Sequence, residues 1–483
     1  MPFMTYQRER GGGGFLAFLA ILFFSIVAAG LLTFSEITKV NPFEVAFFEE
    51  DSPRITWERE PAGLGTDPVP MALTVTDAGS GLDEVLVRIS QNNQPRELVR
   101  KRSLSGVKTQ AITIDLNPKE LGLREGKAEL QILAFDQSLW SNGSRISKSL
   151  VVDFLKPRIE VITPQQNGVI GGTELVYYKV IGKTPDSQGV FSDGALYPGF
   201  PAKYWDPSFK SYDDLYLAFY PIPQDFDDSK DAMSLLARDA IGNVATAHFN
   251  YKTRPRRWGS FTLALDTAKG EALKNSLASH PSNESIKARF SGDLMTDLRY
   301  LIKASGRHDE SVLSDPLSQT EGRKLWNGTF TRPVSAYPSN SAGDQRTITL
   351  NGQELVKGPA VGARFQVASR QKVAAANSGR VTFVDTLPLN GTTIVIDHGF
   401  GLASVYAHLS SAEVKPGDEV TKGQPIGHTG TSGLAQSEEA YFELRLHGVA
   451  VSPNEWWDDT WLTDHIQNKT AFVQRTLIGE PGE

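Results

Sequence analysis

The 483-residue chain carries 49 Lys+Arg against 56 Asp+Glu, a formal charge of −7, with 40% hydrophobic and 10% aromatic residues. At roughly 150 residues per domain this length predicts about three domains, and the acidic balance excludes a chain built mainly to neutralise nucleic acid. With no cysteine anywhere, disulfide frameworks, thiol catalysis and cysteine zinc sites are excluded together.

In chain order, residues 1–14 read as a cytoplasmic tail. Phe15 to Phe34 is an uncharged run, FLAFLAILFFSIVAAGLLTF. As a helix these residues rise roughly 30 Å, one hydrocarbon core. Arg8 and Arg10 precede the run and Lys39 alone follows closely, so the positive-inside bias places the amino end in the cytoplasm. The expectation is a single-pass protein of the inner (cytoplasmic) membrane, anchored through 15–34, with the bulk of the chain periplasmic or extracellular. A cleaved signal peptide, with Val27-Ala28-Ala29 as a poor cleavage site, and a buried core helix are the alternatives. Residues 35–52 read as a linker.

From 53 to 254 short alternating runs lie between turn signals: Val85, Val87, Ile89; Leu130, Ile132, Ala134; Leu215, Leu217, Phe219. Period two predicts antiparallel strands. Ala134-Phe135-Asp136 with Asn142-Gly143 is echoed by Ala237-Arg238-Asp239 with Gly242-Asn243. The segments 53–155 and 156–254, joined near Lys156-Pro157, therefore resemble two bacterial immunoglobulin-like β-sandwiches, which implies spacers or partner-binding modules. Leu294, Leu298, Leu301 and Ile302 then fall on one face of an amphipathic helix, and 255–328 reads as a helical connector.

Residues 329–460 return to short strands punctuated by Gly. They carry Asp397-His398-Gly399, Tyr406-Ala407-His408-Leu409-Ser410, Lys415-Pro416-Gly417-Asp418 with Gly423, Ile426-Gly427 with Gly430, and Phe442-Glu443. This segment resembles the lysostaphin-like, LytM-type zinc peptidases that cut peptidoglycan cross-bridges, whose fold is the duplicated hybrid motif. The resemblance implies a mainly β chain ending in a compact β-barrel or sandwich, with 461–483 as a C-terminal tail. It also implies a zinc ion held by the His and Asp of H-x-x-x-D and by the second His of H-x-H, with an open position for water.

At those positions the chain departs from the family. Gap-free alignment of the flanking strands places Ala360 and Arg364 at H-x-x-x-D, with Gly362 retained between them, and Glu439 and Tyr441 at H-x-H. Ala offers no lone pair, Tyr with an ordinary pKa of about 10 stays protonated, and Arg adds a fixed positive charge. A unit charge ~4 Å from a divalent ion opposes its binding by roughly 8 kcal/mol at an effective dielectric of 20. Arg364 and Glu439 are expected to pair across the vacated position. His408 alone is retained from the family's polar set, as an orienting histidine or a structural one. No metal and no cofactor are expected. A zinc site relocated to His398, His408 and His428 is the alternative, although these residues lack a recognised ligand spacing. The resemblance then implies a membrane-anchored pseudo-peptidase that binds peptidoglycan or activates a cell-wall amidase. An active zinc endopeptidase with relocated ligands and a structural envelope scaffold are the competing readings.

Overall fold

The computed structural model describes residues 51–479 except 103, 105, 106, 139 and 228–231, together with helical residues 21–27, 29 and 33. Most of the expected span 15–34, the preceding tail and nearly all of the linker lie outside the described residues. Among the described residues no helix is long and apolar enough to cross a membrane. The chain divides into two compact units, 1–155 with 240–243, and 156–239 with 244–483.

The first unit is a two-sheet sandwich. Val69–Thr76 is the middle strand of a three-stranded antiparallel sheet, and Leu82–Gln91 and Gly126–Asp136 are the inner strands of a four-stranded one. Met71, Leu73 and Val75 meet Val85, Val87, Ile89, Leu130, Ile132 and Ala134 in one core. That is the outcome of period-two patterning on facing sheets. The Asp–Asn signal closes the last hairpin. The Asp136 carboxylate accepts from the backbone N–H of Ser138 (3.1 Å) and of Asn142 (2.8 Å), and from the Ser138 hydroxyl (2.7 Å).

The second unit begins with another pair of four-stranded sheets, but its first sheet is buried on both faces. Val176, Tyr178, Val180, Tyr216, Ala218 and Tyr220 face the sandwich core. Leu175, Tyr177, Leu215, Leu217 and Phe219 enter the core of the C-terminal domain beside Trp326, Phe400 and Trp456. The expectation of a separate module ending at 254 is therefore corrected. Both alternating faces of these strands are apolar, so the sheet joins two cores.

The connector is corrected too. It opens with a strand, β1 (Ser260–Leu265), which pairs in parallel with β2 (Gln345–Leu350), and β2 pairs antiparallel with β3 (Gln353–Pro359). Helices α1 (Thr267–Ser279) and α2 (Leu294–Ser318) cover this sheet, capped by Asp266 and Asp293, whose carboxylates accept from Lys269 N and Thr296 N. The predicted stripe Leu298, Leu301, Ile302 packs on Leu263, Ile348 and Leu350.

The C-terminal domain is built on an open sheet ordered β4 (Ala363–Gln366), β8 (Glu439–Leu446), β7 (Leu402–Leu409), β6 (Gly391–Gly399), β5 (Gly379–Leu387), then Glu419–Val420. It does not close into a barrel: β4 and Glu419–Val420 are unjoined edges, and a separate three-stranded sheet stands beside them. One face is apolar core, with Ile394, Ile396, Tyr406, Ala440, Phe442 and Leu444. Across the other face lies α2, its Leu313 and Leu317 against Val395, Ala403 and Val405. Arg445 fastens it there, donating to both Glu310 oxygens (2.8 and 3.1 Å) and to Glu443 (2.7 Å).

The expected tail is instead a helix, α3 (Asn468–Ile478). It docks on the first sheet of the second sandwich. The Tyr177 hydroxyl meets Thr470 Oγ1 at 2.8 Å, Tyr212 donates to the Leu477 carbonyl at 2.5 Å, and Lys469 pairs with the buried Glu174.

Candidate functional site

Three strands bring the singled-out residues together. In the β4–β8 register Arg364 lies opposite Tyr441 and Gln366 opposite Glu439. Glu439 and Tyr441 are two residues apart, so the pleat turns both to the face away from the apolar core. His408 reaches that face by a departure from alternation. Tyr406 points into the core, and strict period two would send His408 after it. The β6–β7 register instead slips between Thr392/Leu409 and Ile394/Tyr406, and His408 takes φ +62°. This bulge swings the ring across, with its backbone N–H held by the Asn390 carbonyl at 2.8 Å.

Arg364, Glu439 and His408 are 4%, 0% and 5% exposed, and they form one closed network. Arg364 Nε donates to both carboxylate oxygens at 3.1 Å, Nη2 donates to Oε2 at 2.7 Å, and His408 Nδ1 lies 2.6 Å from Oε1. Burial pushes the Glu439 carboxyl up, but His408 and Arg364 outweigh it and hold the group below the usual carboxylate range. The Tyr441 ring stacks on His408, centroids 5.1 Å apart, and burial pushes its hydroxyl well above its ordinary range. Ala360 and Gly362 line the same cavity. Any side chain on Gly362 would clash, since a Cβ would sit 2.4 Å from the Phe442 carbonyl.

Phe261 and Leu263 of β1, with Arg346 of β2, roof this site, and Leu389 and Leu434 close its sides. The cavity left is about 30 Å³, room for about two waters. Beside it, Asp309 of α2 accepts from the backbone N–H of Leu389 (3.0 Å) and Asn390 (2.8 Å), and burial pushes its carboxyl up to about 7.

The family's zinc does not fit these residues. The four positions present a methyl group, a guanidinium, a carboxylate whose two oxygens are already taken by Arg364 and His408, and a neutral phenol. The relocated set is not assembled either. His398 is buried between the Ser378 carbonyl (2.8 Å) and Ser404 Oγ (2.7 Å), and burial lowers it to about 4. His428 ends the strand Pro425–His428 and faces Glu413 at 3.1 Å. Asp397 binds Thr320 Oγ1 and the backbone N–H groups of Glu321 and Gly399. Among the described residues no three His, Cys, Asp or Glu side chains are grouped to hold a metal. Sequence reasoning did not find Arg346, Asp309 or Asn340, whose side-chain amide donates to the Gly362 carbonyl at 2.9 Å and accepts from the Arg364 backbone N–H at 3.0 Å. They come from outside the motif-bearing strands, and only tertiary packing brings them in.

Comparison with known proteins bears on this last domain. Residues 358–453 match the family model described as Peptidase family M23. The chain is 35% identical over 140 residues to the Murein hydrolase activator EnvC of Escherichia coli (strain K12), a match covering 29% of this chain and 32% of that protein. It is 34% identical over 88 residues to Stage II sporulation protein Q of Bacillus subtilis (strain 168), covering 18% of this chain and 31% of that protein. The chain thus spans about a third of the length of these relatives. The solved catalytic domain of the antimicrobial peptidase lysostaphin from Staphylococcus simulans aligns with 30% of this chain and 96% of that one, at 22% identity and a TM-score of 0.20.

Proposed function

We propose that this chain, whose C-terminal region is a peptidase M23 domain of the LytM type, is a pseudo-peptidase that regulates a murein hydrolase, with a cell-wall amidase as the expected class. The observation that carries this reading is the Arg364–Glu439–His408 network. It fills the position where the family holds its metal with a cation already neutralised by its own carboxylate. Water activation in this family needs a Lewis acid, and His408 tied to Glu439 supplies none. Access points the same way. A cavity of about 30 Å³ is far below the ~300 Å³ and upward of ordinary ligand pockets, so a cross-linked polymer cannot enter beside His408. The likeness to a protein named murein hydrolase activator supports regulation as the role. An anchor at 15–34 would hold the domain on the outer side of the cytoplasmic membrane, where peptidoglycan and its hydrolases meet it.

The test is dye release from labelled sacculi. The full chain alone is expected to release none, and added to a cell-wall amidase it is expected to raise the amidase rate. Chelator-sensitive release by the chain alone would overturn the proposal.

A further inference from the structure

A second hollow opens on the other side of the β4–β8 edge. Phe365 of β4 and Phe442 of β8 point into the apolar core, opposite to Arg364 and Tyr441, and the Trp457 ring packs on each at a centroid distance of 6.0 Å. From Trp457 a groove of about 520 Å³ follows residues 330–337 and the short strand Lys372–Ala374. The sheet thus separates it from the small cavity at His408. Its wall is fixed by backbone bonds: Thr331 N donates to the Ala376 carbonyl and Ala374 N to the Pro333 carbonyl, both at 2.9 Å, and Ser339 N donates to the Arg364 carbonyl at 2.8 Å. A groove pinned in this way needs little ordering before a ligand enters.

Tyr337 stands on the groove, 81% exposed. A single exposed ring is ordinary, but here the Arg332 guanidinium lies between two rings, 4.4 Å from the centre of Tyr337 and 5.7 Å from that of Trp457. Lys372 lines the groove too, and its side chain is exposed. Among the described residues no acidic side chain lines it, so two cations face this groove in a chain whose net charge is −7. The Ser335 and Tyr337 hydroxyls add neutral hydrogen-bonding groups. Flat apolar rings, hydroxyls and cations together suit a sugar that carries a carboxylate. A single-stranded nucleic acid also stacks on aromatic rings, but it brings a phosphate at every residue to a protein that is acidic as a whole.

Resting on the amidase-regulator reading above, we propose that this groove binds a glycan strand whose sugars bear free carboxylates, the strand left when stem peptides have been removed from peptidoglycan. An amidase adds water across the amide that joins a sugar's lactyl carbonyl to its stem. The acyl carbon gains the oxygen and becomes a carboxylate, and the nitrogen leaves with the stem as a protonated amine. Before the cut that carbonyl is an uncharged amide; afterwards each such sugar carries one negative charge. The C–H face of a pyranose ring lies on the exposed Tyr337 ring, the carboxylate takes the planar guanidinium of Arg332 in a bidentate pair, and Lys372 supplies a second charge. The volume agrees, since it falls within the ~300–1,000 Å³ of ordinary ligand sites. The chain then recognises the product of the hydrolase it regulates and is retained where cleavage has begun.

The test is calorimetric titration of the full chain with the stem-free tetrasaccharide of alternating N-acetylglucosamine and N-acetylmuramic acid. The comparison probes are the same tetrasaccharide with its stems attached, chitotetraose, which has the sugar backbone without carboxylates, and tetra-glutamate as an acidic peptide. The stem-free tetrasaccharide is expected to bind saturably, and about tenfold or more tightly than any of the others. Tyr337→Ala and Arg332→Gln are each expected to weaken that binding about tenfold, with Arg332→Lys recovering part of the loss. Both side chains are exposed, so the melting temperatures of these variants should match the parent. Equal affinity for the stem-free tetrasaccharide and chitotetraose, undiminished binding by either variant, no binding at millimolar sugar, or preference for tetra-glutamate would each overturn the site. The two readings fail separately. Sacculus hydrolysis by the chain alone overturns the regulator reading, whereas equal affinity for charged and neutral tetrasaccharides overturns the groove while amidase stimulation stands.

Discussion

Replacing Glu439 by Gln leaves the Arg364 guanidinium, 4% exposed, without its counter-charge, and weakens the acceptor that His408 uses. An exposed ion pair contributes about 0–1 kcal/mol, but breaking a buried one costs about 3–5 kcal/mol because a desolvated charge is stranded. The latter scale applies here, since Glu439 is fully buried and its contacts to Arg364 run from 2.7 to 3.1 Å. Glu439→Gln and Arg364→Met should therefore each cost about 3–5 kcal/mol. The double variant Arg364→Met/Glu439→Leu removes both charges and leaves only the His408 ring short of an acceptor, a cost of about 1–3 kcal/mol. The singles sum to about 6–10 kcal/mol, so the cycle should show strong coupling. The assay is urea unfolding followed by tryptophan fluorescence, because Trp457 stacks on Phe442 at 6.0 Å behind the same strand. Single variants costing less than about 1 kcal/mol, or a double variant as costly as the sum, would refute the account of the network as a self-neutralised pair.

His398, lowered to about 4 by burial, is neutral in the folded state, so its contribution is present above the ordinary histidine pKa and drains away as pH falls from about 6.5 to 4. His398→Gln should flatten the fall in urea midpoint across that window, worth up to about 3 kcal/mol. Asp309 has the opposite sign. Its folded pKa is raised to about 7, so stability is full below the ordinary aspartate value and lost as pH rises through 7. Asp309→Asn keeps an acceptor for Leu389 N and Asn390 N, and should stabilise the protein at pH 8 by at most about 4 kcal/mol, with little effect at pH 4. Restoring the family's ligand chemistry with Ala360→His, Arg364→Asp and Tyr441→His should confer stoichiometric zinc by atomic absorption. The parent chain should carry none, and zinc at one equivalent in the parent would contradict the fit argument.

The M23 domain could be read from sequence alone, because motif spacing along individual strands is a local property. Ala360, Arg364, Glu439 and Tyr441 follow from gap-free alignment of the flanking strands, and the structure puts Ala360, Arg364 and Tyr441 on one cavity, with Glu439 bound to Arg364 beside it. The stripe of α2 and the alternation of the sandwich strands were equally local. Other features depended on distant partners. β1 was hidden in the connector because its parallel mate begins at Gln345, far along the chain. The apolar runs at 175–177 and 215–219 do not reveal that their two faces serve different cores. His408 reaches Glu439 only through a bulge that breaks the period-two rule. Arg346 comes to line the cavity only when its sheet closes over the site. Periodicity and motif spacing state what each segment can bury or bind; which surfaces meet, and which charge is left without a partner, is decided by long-range packing, where the cost of burying a polar group is actually incurred.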